Sequence, residues 1–143
     1  MTKTQESALA SLRERIKDYI GGKRLSHTYG VEREIAKLAA IYDPDEEFDL
    51  RAAALLHDIT KPLSLAEQLK LCDEYGIPYT NGEKLTPKIF HAKTAAETIK
   101  VKFPEFYNET VYGAVLYHTT GKAGMNIGEK LLYLADYIED TRT

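Results

Sequence analysis

The sequence lacks several features that mark whole classes of protein. Its 143 residues contain one cysteine, Cys72. A single thiol excludes an intramolecular disulfide framework, so the sequence predicts a protein of a reducing compartment, the cytoplasm. No uninterrupted apolar run exceeds that of Ala52–Leu56, and the first residues lack the apolar core of a signal peptide. Neither a membrane span nor a membrane partner is therefore predicted.

An excess of basic charge is missing as well. Lysine and arginine number 19 against 22 aspartate and glutamate residues, which gives a formal charge of −3 with histidine neutral. Because affinity for nucleic acid comes largely from basic side chains on phosphates, this balance argues against a general nucleic-acid binder. With 43% apolar and 29% charged residues, the chain is expected to form one globular domain over residues 1–143. The oligomeric state stays open, a homodimer included.

Helical periodicity is what the sequence contains instead. Apolar residues recur three and four positions apart along most of the chain, which predicts an all-α fold, a compact bundle of about seven helices. Turn and capping residues mark the boundaries. The first helix is predicted to end at Gly21-Gly22, the second to span residues 25 to 42, and the third to end near Pro62. The fourth is predicted to begin at a Ser64–Glu67 capping box and to end at Gly76. The fifth, sixth and seventh are predicted to begin at Thr86-Pro87, at Pro104 and at an Asn126 cap.

Four histidines and two aspartates lie beside the apolar stripes of five predicted helices. A lone histidine on such a face is more often a hydrogen-bonded core residue than a metal ligand. The adjacent pair after Ala52–Leu56 is more informative, because a helix gains no stability from an ionisable pair there. Buried charges are paired or bound to metal, so the set together favours a metal site. Its imidazole and carboxylate groups suit Fe, Mn, Co or Zn better than Mg. The six residues are His27, His57, Asp58, His91, His118 and Asp136.

The order of these residues resembles the HD superfamily of metal-dependent phosphohydrolases, and the two additional histidines resemble its binuclear branch. Four motifs, at residues 26–31, 55–62, 118–121 and 133–139, are similar to the YqeK-type family over essentially the whole chain. The resemblance implies a symmetrical bis(5′-nucleosyl)-tetraphosphatase that cuts diadenosine tetraphosphate, a small-molecule nucleotide, into two ADP. Members of that family usually continue beyond the last helix, so we expect this chain to lack a C-terminal segment of the pocket wall.

The resemblance also implies roles for individual residues. His27, His57, Asp58 and Asp136 would hold one metal, and Asp58 would bridge to a second metal completed by His91 and His118. Two divalent transition metals are implied, Fe first, with Mn, Co and Zn as alternatives. Lys61, one helical turn after Asp58, would act with it in catalysis by binding the phosphate. Weaker candidates for substrate contacts are Arg24, Thr120 and Arg142.

Other functions remain open on sequence grounds. Another nucleotide phosphohydrolase could use the same centre, although the loop after His118 lacks the Gly-Tyr-Pro element of the cyclic-dinucleotide branch. The ligand order also resembles a di-iron inositol oxygenase, a considerably larger protein. A module that binds nucleotide without turnover is a further alternative. Four tyrosines could stack on adenine, but their helical spacing is more typical of packing. They are Tyr112, Tyr117, Tyr133 and Tyr137.

Overall fold

Helices joined by turns make up the described part of the chain. The computed structural model describes residues 1–139, so the predicted substrate contact of Arg142 lies outside the described residues. Within residues 1–139 there are seven α-helices and no strand, which confirms the all-α prediction. The α-helices are α1 (Lys3–Arg15), α2 (Gly22–Tyr42), α3 (Glu47–Leu56), α4 (Leu65–Tyr75), α5 (Phe90–Lys102), α6 (Glu109–Leu116) and α7 (Ile127–Ile138). Short 3-10 helices lie at Ile16–Asp18, Pro44–Glu46, Glu83–Leu85, Pro87–Ile89 and Pro104–Phe106.

Local capping sets where α4 and α7 begin, as the sequence predicts. The Ser64 hydroxyl accepts a hydrogen bond from the Glu67 amide at 3.2 Å, and the Glu67 carboxylate accepts one from the Ser64 amide at 3.0 Å. Asn126 and Glu129 form the same reciprocal pair at 2.8 and 2.9 Å. α4 ends at Gly76, whose φ of 68° is a left-handed conformation that glycine adopts without strain.

The predicted starts of the fifth and sixth helices are wrong. Pro87 and Pro104 each begin a 3-10 helix, and the α-helix follows only after it. Proline suits the first turn of an α-helix or a 3-10 helix, because its φ is compatible with both and an N–H is not needed there. A proline at a helix start therefore does not indicate which type of helix follows. Thr86 makes no side-chain cap, whereas Asn108 caps α6 by accepting from the Val111 amide at 2.9 Å.

The third helix ends earlier than predicted, and the sixth ends before His118. α3 ends at Leu56 and α6 at Leu116, so His57, Asp58 and His118 lie in the turns that follow these helices rather than on them. Both histidines donate from Nδ1 to a carbonyl group of the preceding helix, at 2.5 and 2.6 Å. Carbonyl groups in the last turn of a helix lack their usual i+4 amide partner, and each histidine ring supplies a donor to one of them.

α3 is the central helix of the bundle. It packs against α1, α2, α6 and α7. Its residues Leu50 and Ala52–Leu56 are fully buried, and the consecutive alanines leave room for the neighbouring helices to approach closely. Because this helix ends inside the molecule, the two residues that follow it, His57 and Asp58, are buried as well.

Two observations bear on the expected surroundings of the protein. Cys72 is a buried free thiol on α4. No helix among residues 1–139 combines the length and the apolar character needed to cross a membrane. The cytoplasmic location and the oligomeric state stay predictions.

Candidate metal centre

The fold brings all six predicted ligands into one cluster. His27 lies on α2, His91 on α5 and Asp136 on α7, while His57 and Asp58 follow α3 and His118 follows α6. All are buried except Asp136, which is partly exposed. We call these six residues the ligand cluster. Side chains up to 109 positions apart in sequence therefore meet in space.

One half of the ligand cluster forms around Asp136. Its Oδ1 lies 2.7 Å from His27 Nε2 and 3.5 Å from His57 Nε2. His57 Nε2 also lies 3.3 Å from Asp58 Oδ2. One donor atom from each of His27, His57 and Asp136 fits within the mutual distances expected around a single ion.

The other half forms around the second oxygen of Asp58. Asp58 Oδ1 lies 3.5 Å from His91 Nε2 and 3.6 Å from His118 Nε2, and the two histidine nitrogens are 3.2 Å apart. The two oxygens of one carboxylate thus face different histidines. This is the arrangement that a carboxylate bridging two metal ions requires.

The separations of the donor atoms in the ligand cluster match coordination of a shared metal ion better than direct hydrogen bonding. With metal–nitrogen bonds of about 2.0–2.1 Å, two ligand atoms on one metal lie roughly 3.0–3.4 Å apart, close to most of the observed separations. Within residues 1–139, His57 Nε2 and Asp58 Oδ1 are buried and make no hydrogen bond, although ion-pair distances surround them. Orphaned buried polar atoms of this kind are costly, and a cation in each half of the ligand cluster would remove the cost.

Burial and mutual attraction shift the pKa values of three residues in the ligand cluster. Burial disfavours the charged form of His57, but attraction to the carboxylates of Asp58 and Asp136 outweighs burial and raises the His57 pKa to about 10. Burial raises the pKa of Asp58, but attraction to His57 and His118 outweighs burial and holds that pKa well below its usual range. Burial and repulsion from His118 lower the pKa of His91 to about 3. Without metal, the cluster therefore holds a proton on His57 that a metal ion would displace.

A buried polar network sets the turn that carries Asp58 and Lys61. The Lys61 amide donates to the Asp58 carbonyl at 3.0 Å, which closes the turn. The Thr60 hydroxyl donates to the His91 carbonyl at 2.9 Å, and the Gln68 amide group donates to the Thr60 carbonyl at 2.5 Å. The turn is thereby joined to α4 and α5, and Lys61 is placed beside the ligand cluster.

A cleft opens over the ligand cluster on its Lys61 side. Its volume is about 350 Å³, and a smaller cavity of about 150 Å³ adjoins it and shares Lys61, Lys88 and His91. Residues of the ligand cluster line it together with lysines and tyrosines. The residues that line it are Lys61, Lys88, Ile89, His91, His118, Thr119, Thr120, Tyr133, Asp136 and Tyr137.

The predicted substrate-binding residues have different positions. Lys61 and Thr120 line the cleft, where the Thr120 hydroxyl donates to the Gly121 carbonyl at 3.2 Å. Arg24 lies against the ligand cluster instead, with its Nη1 3.1 Å from Asp58 Oδ2. The structure thus brings three of the four candidates to the site, and the fourth, Arg142, lies outside the described residues.

The four tyrosines separate into two pairs. The Tyr112 hydroxyl donates to Glu97 at 2.5 Å, and Lys122 Nζ lies 4.4 Å from the ring centre of Tyr117, so this pair is engaged in packing and local contacts. Tyr133 and Tyr137 line the cleft with 43% and 75% of their surface exposed. Only the second pair is available to a molecule in the cleft.

Two residues at the site were missed from sequence. Glu139 Oε1 lies 2.7 Å from His27 Nδ1, and Lys88 lines the cleft beside Lys61. A signal existed for both, since Glu139 follows Asp136 by three positions and Lys88 precedes His91 by three. That spacing puts two helical residues on one face, the same relationship that links Lys61 to Asp58 and Arg24 to His27.

The fold and the site define a class of protein, an all-α domain with buried histidine and aspartate side chains arranged to hold metal ions. A sequence profile described as the HD domain matches residues 24–141. The chain belongs to the HD domain family.

Relatives and a solved structure extend the comparison. The chain is 33% identical over 130 residues to a protein of Staphylococcus aureus named bis(5′-nucleosyl)-tetraphosphatase, symmetrical, covering 89% of this chain and 64% of the relative. It is 29% identical over 138 residues to a protein of the same name from Bacillus subtilis, covering 96% and 70%. A crystal structure from Clostridium acetobutylicum, described as a predicted HD superfamily hydrolase involved in NAD metabolism, superposes with a TM-score of 0.84 at 28% identity, covering 94% and 70%. The chain therefore spans about two thirds of the length of these proteins.

Proposed function

We propose that the protein is a metal-dependent phosphoanhydride hydrolase that cuts diadenosine tetraphosphate symmetrically into two ADP. The observation that carries the proposal is the position of Asp58, whose two oxygens face different histidines beneath a cleft with two lysines on its wall. The names of the relatives at 29% and 33% identity support the same activity.

The ligand cluster would hold two divalent ions. His27, His57, Asp58 and Asp136 would hold the first, and Asp58, His91 and His118 the second. The mixed nitrogen and oxygen donors favour Fe, with Mn, Co and Zn as alternatives. When bound, divalent ions supply Lewis acidity toward phosphate oxygens and lower the pKa of water toward neutrality.

The chain's own residues bind and orient the substrate. Lys61, beside the ligand cluster, would bind oxygens of the phosphate under attack, and Lys88 those of a neighbouring phosphate. The oxygen of water adds to one of the two central phosphorus atoms and a proton of that water passes to solvent. The bridging P–O bond breaks, one ADP departs with the electron pair of that bond, and the other ADP keeps the oxygen of the water. The lysine charges stabilise the negative charge that develops on the departing phosphate.

Symmetry of cleavage is the decisive measurement. The purified protein, loaded with Fe, Mn, Co or Zn in turn, is given diadenosine tetraphosphate, and the nucleotide products are separated by chromatography. We expect ADP alone, and no turnover after the metal is removed by a chelator. A product mixture of AMP and ATP would overturn the symmetrical assignment. Faster turnover of ordinary or cyclic nucleotides would assign a different substrate to the same centre.

Substitution of Asp58 tests the centre itself. Asp58→Asn preserves the size of the side chain but removes the charge shared by both halves, so we expect loss of both metals and of measurable turnover. Asp45→Asn, on the exposed 3-10 helix before α3, is the matched control and should retain both. Full metal content and activity in Asp58→Asn would contradict the proposed centre.

A further inference from the structure

Glu139 lies behind the ligand cluster, on the side of His27 that faces away from the other ligands. The residue directly follows α7 and is only 3% exposed. Its Oε1 lies 2.7 Å from His27 Nδ1, while His27 Nε2 lies 2.7 Å from Asp136. The two ring nitrogens of one histidine therefore contact two carboxylates, and only one of these belongs to the ligand cluster.

A carboxylate at Nδ1 has a specific effect on a metal-binding histidine. It holds the proton on Nδ1, which leaves the lone pair of Nε2 for a metal, and it fixes the orientation of the ring. Its negative charge also makes the imidazole a stronger electron donor. These consequences follow whichever divalent metal is bound.

Gly30 provides the space that this carboxylate occupies. Gly30 lies on α2, three positions after His27, and a Cβ placed there would collide with the Glu139 carboxyl group and with its Cγ at 2.7 Å. Glycine within a helix is less stable than alanine, so no local preference explains this residue. The colliding atoms belong to the end of a flexible side chain, so a methyl group would displace the carboxylate and leave the backbone in place.

We propose that Glu139 is a positioning residue that orients and strengthens His27 as a ligand, and that Gly30 creates the space for it. The inference rests on the proposed function only in requiring that the ligand cluster binds divalent metal. It assigns Glu139 to the half of the cluster formed by His27, His57 and Asp136. His91 and His118 belong to the other half, at the second oxygen of Asp58.

A matched control exists near the beginning of α7. Glu129 on α7 is also 3% exposed, and a Cβ at Gly113 would collide with its carboxylate. Glu129 accepts a hydrogen bond from the Asn126 amide and lies 3.5 Å from Lys122 Nζ, so its role is in capping and ion pairing. The pairs Glu139–Gly30 and Glu129–Gly113 thus share burial and crowding and differ in contact with a ligand histidine.

The test measures metal binding separately from turnover. Co²⁺ is titrated into the metal-free full chain of the wild type, Glu139→Gln, Gly30→Ala, Glu129→Gln and Gly113→Ala, and both dissociation constants are obtained by chelator competition. His27→Ala identifies which of the two binding steps belongs to the His27 half. We expect Glu139→Gln and Gly30→Ala to weaken that step about 10- to 100-fold and to leave the other step within about threefold. The two control variants should match the wild type in both steps.

Further readouts separate positioning from folding. Confinement of the loss to the His27 binding step is one such readout, because a general loss of packing would weaken both steps. Thermal unfolding identifies any variant that is grossly destabilised. If Glu139→Gln is destabilised in this way, the Co²⁺ binding of Gly30→Ala decides the outcome. Equal Co²⁺ binding by Gly30→Ala and Gly113→Ala would overturn the inference while leaving the proposed function intact. Absence of metal binding by the wild type would overturn both.

Discussion

Arg24 and Asp58 form an ion pair with 3.1 Å between Nη1 and Oδ2, so a cation lies against the carboxylate that both halves of the ligand cluster share. The arginine side chain is 35% exposed and that of the aspartate 2%. Arg24 therefore extends from the protein surface to the buried centre. A positive charge in this position repels a metal ion and attracts a polyphosphate.

Replacement of Arg24 should consequently have two opposite effects. Arg24→Met is expected to tighten metal binding on the order of fivefold, the effect of about 1 kcal/mol for a partly screened charge. It should also raise the KM for the nucleotide by a similar factor. Chelator competition and steady-state kinetics measure the two quantities, with the exposed Arg33→Met on the same helix as the control. Weaker metal binding in Arg24→Met would show that the arginine supports the site instead.

The two cleft lysines should differ in which kinetic constant they affect. Lys61 is near enough to His91 for its charge to contribute to the lowered pKa of that histidine, and in the proposed function it would lie close to the phosphorus under attack. We expect Lys61→Met to lower kcat by about tenfold or more, the effect of a lost charged hydrogen bond of about 1.5–3 kcal/mol. Lys88→Met should mainly raise KM. Steady-state kinetics measure both constants, with Lys70→Met on the exposed surface of α4 as the control. A loss of kcat in Lys88→Met together with a raised KM in Lys61→Met would show that Lys88 is nearer the reacting phosphate.

Tyr137 should contribute to recognition of the base and not of the phosphates. Its ring is 75% exposed at the wall of the cleft, and stacking of a base on an aromatic ring contributes about 1–3 kcal/mol. Tyr137→Ala is expected to weaken binding of ADP by about tenfold and to leave binding of inorganic pyrophosphate unchanged. Calorimetric titration of both ligands checks this, with Tyr42→Ala, 60% exposed at the end of α2, as control. Equal losses for both ligands would indicate a structural role.

Stability of the metal-free protein should depend on pH through His57. Its folded pKa of about 10 lies above the ~6.5 of an unfolded histidine, so the folded state holds an extra proton between these values and stability falls as pH rises through that range. The pKa of His91, about 3, is shifted the other way, so stability also falls as pH decreases from ~6.5 toward 3. Tm should therefore be highest near pH 6.5.

Metal should abolish the alkaline part of this dependence, because a ligating imidazole carries no proton on the coordinating nitrogen. Tm measured from pH 6.5 to 9.5 with and without bound metal tests this, and His57→Gln should remove the alkaline decrease in metal-free protein. A Tm of the metal-free wild type that does not change over this range would contradict the elevated pKa.

Much of the fold could be predicted because its determinants are local. The capping boxes at Ser64 and Asn126 involve residues three positions apart, and their hydrogen bonds form wherever the rest of the chain lies. The beginnings of α5 and α6 were mistaken because Pro87 and Pro104 are compatible with both helix types. Packing against neighbouring elements selects between the 3-10 helix and the α-helix, and the periodicity of the sequence carries no information on that packing.

For the site too, local features could be predicted from the sequence and tertiary contacts could not. The types and order of the six ligands, and their resemblance to a known family, were readable from the chain because metal coordination needs particular donor atoms. Which oxygen of Asp58 faces which histidine was not readable, nor was the contact of Glu139 with His27 across 112 positions. Such contacts depend on helices approaching to within a few ångströms. That approach is set by the packing of α2, α3 and α7, and spacing along the chain does not encode it.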